Sequence, residues 1–188
     1  MVLNIGIDAL RKSFLAGFVV WCLMSTSGTA LQQGLLTRDE ALLAVYPEAL
    51  VEAERIFLTV EQQQHAALLA REEISSALVA RYVARRDGQL VGRAYVDTHI
   101  VRTKRESLLI SLDANGEVKR IDVTAFLEPR EYQASEQWFR QYEQQSLSDD
   151  LALQRLIRPI AGATLTTLAA NQAVRRVLAI DQVLEADE

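Results

Sequence analysis

The chain has 188 residues, an apolar content of 49% and a formal net charge of −5. This length and composition suit one folded domain with short appendages. Because surfaces that bind nucleic acid are basic, the acidic balance argues against nucleic acid as a partner.

Residues 1–30 have the order of a secretory signal peptide. Two basic residues precede an apolar run at residues 14–24, and small residues follow up to Ala30. A charged start, an apolar core and a small-residue end are the parts of such a signal. The apolar run is shorter than the ~20 residues that a membrane span needs. We therefore expect a signal peptide cleaved after Ala30, or an uncleaved anchor in which residues 14–30 associate with the membrane.

The single cysteine, Cys22, lies inside that apolar run. A chain cleaved after Ala30 would contain no cysteine. Its net charge would be −6, because residues 1–30 hold two basic residues and one acidic residue, a net +1. The absence of cysteine excludes disulfides, zinc–thiolate sites, iron–sulfur clusters and thioether-linked haem from the exported chain. A redox role would need a bound organic cofactor.

Residues 31–77 are expected to form an extension with helices and a strand. The Thr-x-x-Glu pattern at residues 37–40 is that of a capping box, which opens a short helix that stops at Pro47. The stretch after this proline is ambiguous, although residues 55–60 have strand composition. Residues 61–73 have the pattern of a polar helix.

From Leu78 the apolar residues recur with a period of two, which is typical of strands. We predict four strands, over residues 78–85, 90–96, 108–112 and 118–126. Asp87-Gly88 and Asn115-Gly116 favour tight hairpin turns. These strands are expected to form an antiparallel meander with one buried face.

An amphipathic helix is predicted beyond the sheet, with Trp138, Phe139 and Tyr142 near one side. Residues 147–150 read as a loop, and residues 151–157 fit either a helix or an extended chain. The predicted fold class is therefore α+β, an antiparallel β-meander packed with helices, with a signal or anchor helix at the N-terminus and a last helix at the C-terminus.

That last helix follows a turn of small residues at 160–163 and is predicted to run to about Ile180. Its apolar stripe is predicted to contain Leu168, Asn171, Val174, Val177 and Leu178, with Arg175 and Arg176 off the stripe. The start of a helix has unpaired N–H groups and partial positive charge, so it suits a phosphate. Gly162 would let a bulky group approach the backbone. The alternative is an ordinary helix start, capped by Thr164 or Thr166.

The sequence Ala161-Gly162-Ala163-Thr164-Leu165-Thr166 resembles the Ser/Thr-Gly-Ala-Thr-x-Thr/Ser signature of the FMN-binding domain family. This family includes the covalent-flavin subunits of the sodium-pumping NADH:quinone oxidoreductase and of the Rnf complex. Upstream, Phe126-Leu127-Glu128-Pro129 is similar to the family's Phe-x-Glu-Pro/Thr element. The resemblance covers roughly residues 78–180 and indicates an FMN-binding domain at residues 78–182.

The resemblance implies that a flavin transferase esterifies the phosphate of FMN onto the hydroxyl of Thr164. The implied cofactor-binding residues are Ala161, Gly162, Ala163, Thr164, Leu165, Thr166 and Glu128. Glu128 would bound the flavin site, or be an exposed carboxylate that caps a loop.

Further side chains are candidates for contact with the flavin. His99, Arg102, Lys104 and Arg105 are predicted to form a basic loop, in which Arg102 would pair with the phosphate or with reduced flavin. The alternative is a solvated loop between strands. Tyr132 and Trp138 would stack on the flavin ring or belong to the core.

The chain departs from the family pattern at two places. Ala161 stands where the family has Ser or Thr, and no Asp occurs in residues 155–158 just before the motif. The nearest upstream are Asp149 and Asp150.

The expected function is electron transfer through FMN between membrane or periplasmic redox partners. No nucleophile motif, metal-ligand spacing or phosphate-binding loop indicates a self-contained enzyme, so a carrier is favoured. The expected location is the periplasm or the outer face of the cytoplasmic membrane. The alternative is an exported interaction or sensing domain that binds FMN reversibly or not at all.

Overall fold

The computed structural model describes residues 35–187. The predicted signal or anchor segment, residues 1–30, lies outside the described residues, as does the start of the predicted linker. Gly34–Glu188 forms one compact unit.

Five antiparallel strands and four α-helices make up this unit, which confirms the α+β class. The elements are α1 (Arg38–Val45), β1 (Leu50–Phe57), α2 (Val60–Ala70), β2 (Leu78–Arg86), β3 (Gln89–Ile100), β4 (Arg105–Asp113), β5 (Val118–Phe126), α3 (Glu136–Phe139) and α4 (Thr164–Ala186). Short 3-10 turns flank α3 at Arg130–Tyr132 and Arg140–Tyr142. The strands lie in the sheet in chain order, β1 to β5. The meander thus has one strand more than the four predicted, because the ambiguous stretch before α2 pairs with β2.

Local chemistry explains where the first two helices begin. The hydroxyl of Thr37 accepts from the N–H of Glu40 at 3.3 Å, and the Glu40 carboxylate accepts from the N–H of Thr37 at 2.9 Å. Thr59 and Gln62 make the same reciprocal pair at α2, at 3.1 and 2.9 Å. Each capping box satisfies two donors that a helix start leaves unpaired.

Both faces of the sheet are covered in part, which corrects the prediction of one buried face. The larger core lies between the sheet and helices α2 and α4. A second cluster forms where α1 packs on the opposite face. There the Tyr46 hydroxyl lies 2.7 Å from the carbonyl oxygens of Arg93 and Leu112. A Cβ at Gly92 would overlap the Leu112 carbonyl and the Tyr46 ring, so this contact requires glycine.

Buried ion pairs join α4 to the sheet. Arg93 on β3 donates to Asp181 at 2.6 and 2.9 Å, and the Tyr95 hydroxyl donates to the same carboxylate at 2.7 Å. One turn or so earlier, Arg176 donates to Asp97 at 3.0 and 2.8 Å. These pairs are buried or nearly so, and they fix the rotation of α4 against β3.

The predicted stripe of α4 is wrong at two positions. Leu168 is 43% exposed, whereas Arg175 is 7% exposed. Arg175 donates to the carbonyl oxygens of Ala70, Ser148 and Leu151 at 2.9, 2.8 and 3.1 Å. Its charge is thus dispersed over backbone carbonyl groups at the end of α2 and in the loop before α4, which is why it can lie in the core.

Candidate functional site

A cavity of about 300 Å³ opens at the edge of the sheet where β3 ends, β4 begins and β5 ends. The start of α4 closes the other side. The lining residues are Val101, Arg102, Glu128, Tyr132, Gly162, Ala163, Thr164, Leu165 and Thr166. Seven of the eight residues proposed from the sequence therefore share one cavity; Ala161 is exposed and does not line it.

The chain enters α4 through a left-handed turn. Gly162 has φ +82°, and a Cβ built there would meet no atom within 4 Å. Glycine is needed for this backbone conformation, whereas the space beside it is open. Ala163 follows as the N-cap residue with φ −124° and ψ 41°, and it provides no side-chain cap.

The start of α4 consequently differs from the other helix starts. Threonine or serine side chains cap α1, α2 and α3, and the first turn of each contains an acidic residue. The first turn of α4 contains no acidic residue. The N–H groups of Thr164, Leu165 and Thr166 have no carbonyl partner one turn earlier, because they open the helix. The N–H groups at the positive end of α4 can therefore donate to an acceptor from outside the helix.

The three threonines in the first turn of α4 differ in exposure. Thr164 is exposed, whereas Thr166 and Thr167 are buried, at 1% and 0%. The Thr167 hydroxyl donates to the carbonyl oxygen of Thr164 at 3.0 Å and so belongs to the helix. Of the three, Thr164 is thus the exposed residue, and it lines the cavity.

Glu128 lies on the opposite wall and is 8% exposed. It caps the β3–β4 turn, as the alternative expected, but it is buried rather than exposed. Its Oε1 accepts from the N–H groups of Thr103 and Lys104 at 2.7 and 2.8 Å, and from the Thr103 hydroxyl at 3.2 Å. Hydrogen bonds from these backbone N–H groups hold the pKa of Glu128 below its usual value. The side chain is ionised and is bonded to the β3–β4 turn.

The predicted basic loop is correct only in part. Arg102 is exposed and lines the cavity, whereas Lys104 and Arg105 are exposed and do not line it. His99 lies within β3, where its ring nitrogens are 2.8 Å from Asp97 and 3.0 Å from Glu106. Alternation along the strand turns this ring towards α4, away from the solvated turn.

Of the two aromatic candidates, Tyr132 and Trp138, only Tyr132 lies at the cavity. Trp138 belongs to the core: its indole N–H donates to the Arg158 carbonyl at 2.7 Å, and its ring packs edge-on against Phe139 and Tyr142. Val101, which sequence reasoning did not select, adds an apolar wall.

Other kinds of site are not seen in the part of the chain that the structure describes. No group of three His, Cys, Asp or Glu side chains there is arranged to hold a metal ion. None of the helices within residues 35–187 is long and apolar enough to cross a bilayer. Asp149 and Asp150 are engaged in surface ion pairs with Arg71 and Arg155.

These features define an α+β domain whose sheet edge and last helix enclose a small cavity suited to an anion. No family model, curated protein or solved structure matches the chain.

Proposed function

We propose that this chain is an exported electron-transfer protein that carries FMN at the start of α4. The observation that carries the proposal is the meeting of three separate segments around one cavity: the Gly-Ala-Thr turn, Glu128 and Arg102. The resemblance to the FMN-binding domain family linked the first two from sequence patterns alone.

The phosphate of FMN would lie against the first turn of α4. The open N–H groups there offer hydrogen bonds to an anion, and the helix dipole adds a favourable field. Arg102 offers a planar pair of donors from the opposite wall, a geometry that matches phosphate oxygens. The two positive groups together suit a dianionic phosphate better than a neutral ligand.

The ring system would be only partly enclosed. A cavity of about 300 Å³ is at the lower end of the range for small-molecule sites. Val101, Tyr132 and Leu165 give apolar or aromatic surface against which a flavin can pack. A flavin with one exposed edge suits transfer of electrons to a docking partner.

The proposal includes a covalent link at Thr164, an exposed residue that lines the cavity. A flavin transferase would act on a donor in which FMN forms a phosphoanhydride. A bond forms between Thr164 Oγ1 and the FMN phosphorus while the anhydride bond breaks. The leaving phosphate ester keeps the electron pair of that bond, and the hydroxyl proton is released.

Location and partners follow from the N-terminal segment. Residues 1–30 would direct export, and residues 14–30 would associate with the membrane if the segment stays attached. The redox partners would then be membrane or periplasmic electron-transfer proteins, and nucleic acid is not among the partners.

Reversible binding of FMN is the second candidate function, and a specific departure favours it. Ala161 replaces the hydroxyl residue of the family motif, and the nearest acidic residues, Asp149 and Asp150, are held in ion pairs. If the transferase recognises either feature, the domain would bind FMN without an ester and act in sensing or interaction.

The test is coexpression of the exported protein with a flavin transferase, followed by denaturing electrophoresis and intact-mass measurement. Thr164→Val removes the proposed acceptor with little change of shape. Thr167→Val is the matched control, because Thr167 is a neighbouring threonine that does not line the cavity and is buried. We expect fluorescent bands from the wild type and Thr167→Val, and none from Thr164→Val.

Other outcomes separate the alternatives. A yellow native protein that loses all fluorescence on denaturation would support reversible binding. A colourless native protein, purified with FMN present, would refute both flavin proposals and leave an interaction domain.

A further inference from the structure

We infer that Glu128 is a positioning residue, which holds the β3–β4 turn so that Arg102 faces the start of α4 and selects phosphorylated over unphosphorylated flavin. The inference rests on the proposed FMN site. It assigns to Glu128 a role that acts through the turn and needs no contact between its carboxylate and the flavin.

The turn at residues 101–104 has little hydrogen bonding of its own. Val101 donates its N–H to the carbonyl oxygen of Lys104 at 3.1 Å. The N–H groups of Thr103 and Lys104 both donate to Glu128, which follows 25 and 24 residues later. No other acceptor within residues 35–187 serves these two groups. The conformation of the turn therefore depends on one carboxylate from the end of β5.

Arg102 lies directly before the two bonded residues. It is exposed, lines the cavity, and makes no ion pair with another residue of the described chain. Within the described residues no hydrogen bond or ion pair joins Arg102 to Glu128, whose Oε1 accepts three hydrogen bonds from the turn. The guanidinium of Arg102 is therefore available to an anion.

Truncation of Glu128 to alanine removes both its charge and its acceptor oxygen, and it separates two explanations that predict effects of opposite sign. If Glu128 acts only by its charge, its loss makes the electrostatic potential of the cavity less negative, and phosphate binds more tightly. If Glu128 holds the turn, its loss lets Arg102 move away and phosphate binds more weakly. The ratio of FMN to riboflavin affinity reports the phosphate interaction and cancels most of the contribution of the ring.

The experiment measures the dissociation constants of FMN and riboflavin by flavin fluorescence, without a transferase. The proteins are the wild type, Arg102→Gln, Glu128→Ala, Glu128→Gln and the double variant Arg102→Gln/Glu128→Ala. Glu131→Gln is the matched control, since it removes an exposed carboxylate three residues later without touching the turn. Melting curves confirm that each variant is folded.

We expect the wild type to prefer FMN and Arg102→Gln to lower the preference about tenfold, as for loss of a charge-assisted hydrogen bond. Glu128→Ala should lower it by a similar factor, and the double variant should be no worse than Arg102→Gln alone. Glu131→Gln should keep or slightly raise the preference.

An unchanged or raised preference in folded Glu128→Ala would overturn the inference and leave the FMN site standing. Glu128→Gln should keep the preference, because its amide oxygen can still accept from the N–H groups of Thr103 and Lys104; a loss as large as that of Glu128→Ala would also overturn the inference. A wild type that binds neither flavin would overturn both. If the Glu128 variants do not fold, amide hydrogen exchange in the wild type decides: slow exchange at Thr103 and Lys104 supports the inference, and exchange at the rate of free peptide overturns it.

Discussion

The free energy of unfolding should fall as pH rises through the pKa of His99 in the folded protein. Its side chain is 10% exposed and lies between the carboxylates of Asp97 and Glu106, at 2.8 and 3.0 Å. Arg176 from α4 pairs with the same Asp97. Burial alone would lower the pKa of His99, but the hydrogen bonds and charges of the two carboxylates outweigh burial and raise it to about 8.

The sign follows from the two states of the protein. The folded protein holds the imidazolium proton more tightly than the unfolded chain, in which the ordinary pKa of 6.5 applies. Below that value His99 is protonated in both states, and its full contribution to stability is present. The contribution is lost as pH rises through the folded-state pKa. A rise from 6.5 to about 8 corresponds to ~2 kcal/mol in the free energy of unfolding.

The assay is urea unfolding followed by circular dichroism at a series of pH values from about 6 to 9, at constant ionic strength. The upper limit avoids the ionisation of tyrosines in the unfolded chain, which begins near pH ~10. We expect the free energy of unfolding to fall by ~2 kcal/mol across the series. His99→Gln should remove this slope, whereas His65→Gln, at an exposed position on α2, should retain it. Equal slopes in the wild type and His99→Gln would refute the reasoning.

Three further variants test the packing and the site. Arg175→Met should lower the free energy of unfolding by ~3 kcal/mol in urea titrations, because buried carbonyl groups lose their donor. Gly92→Ala should lower the melting temperature more than Gly88→Ala: a Cβ at Gly88 meets no atom, so that alanine bears only the ~1–2 kcal/mol strain of a positive φ, whereas a Cβ at Gly92 overlaps the Leu112 carbonyl and the Tyr46 ring. Leu165→Glu adds an acidic group to the first turn of α4; relative to Leu165→Gln it should raise stability by ~0.5 kcal/mol and weaken binding of FMN but not of riboflavin.

Elements set by local chemistry could be predicted from the sequence. The Thr37–Glu40 box fixes the start of α1 at the predicted place. Asp87 and Gly88 have φ of 52° and 77°, the paired positive angles that a tight hairpin needs, and the strands on either side pair as expected. The capping box of Thr59 and Gln62 at α2 is not predicted from the sequence, because glutamine at the third helical position is a weaker signal of a helix start than an acidic residue.

Tertiary contacts decided the features that could not be predicted. Periodicity put Leu168 on the buried stripe of α4 and Arg175 off it. The other predicted stripe residues, Asn171, Val174, Val177 and Leu178, are buried as predicted. Arg175 is buried because carbonyl groups from two distant segments converge on it. The sequence predicts a loop at His99, because the apolar alternation typical of a strand ends before this residue. In the structure β3 continues to Ile100.

Arg102 and Glu128 line the same cavity for a topological reason, which the predicted four-strand meander already implied. In an antiparallel meander, alternate strands end at the same edge of the sheet. Residues just after β3 and just after β5 must therefore be neighbours, with β4 between them. The side on which α4 would begin was not deducible, because residues 143–163 are mostly irregular chain.

The uncapped start of α4 has a cost that an anion would offset. Replacing a Ser or Thr cap by Ala costs ~1 kcal/mol, and the three other α-helices avoid this cost. Ala163 also departs from the extended conformation of Thr37 and Thr59, so the turn after Gly162 is shaped for something other than self-capping. Across the cavity, Arg102 adds a second positive group without a partner in the described chain. One bound phosphate would accept from the first N–H groups of α4 in place of the missing cap and would also pair with Arg102. This combined gain favours a phosphorylated ligand over an equally shaped neutral one.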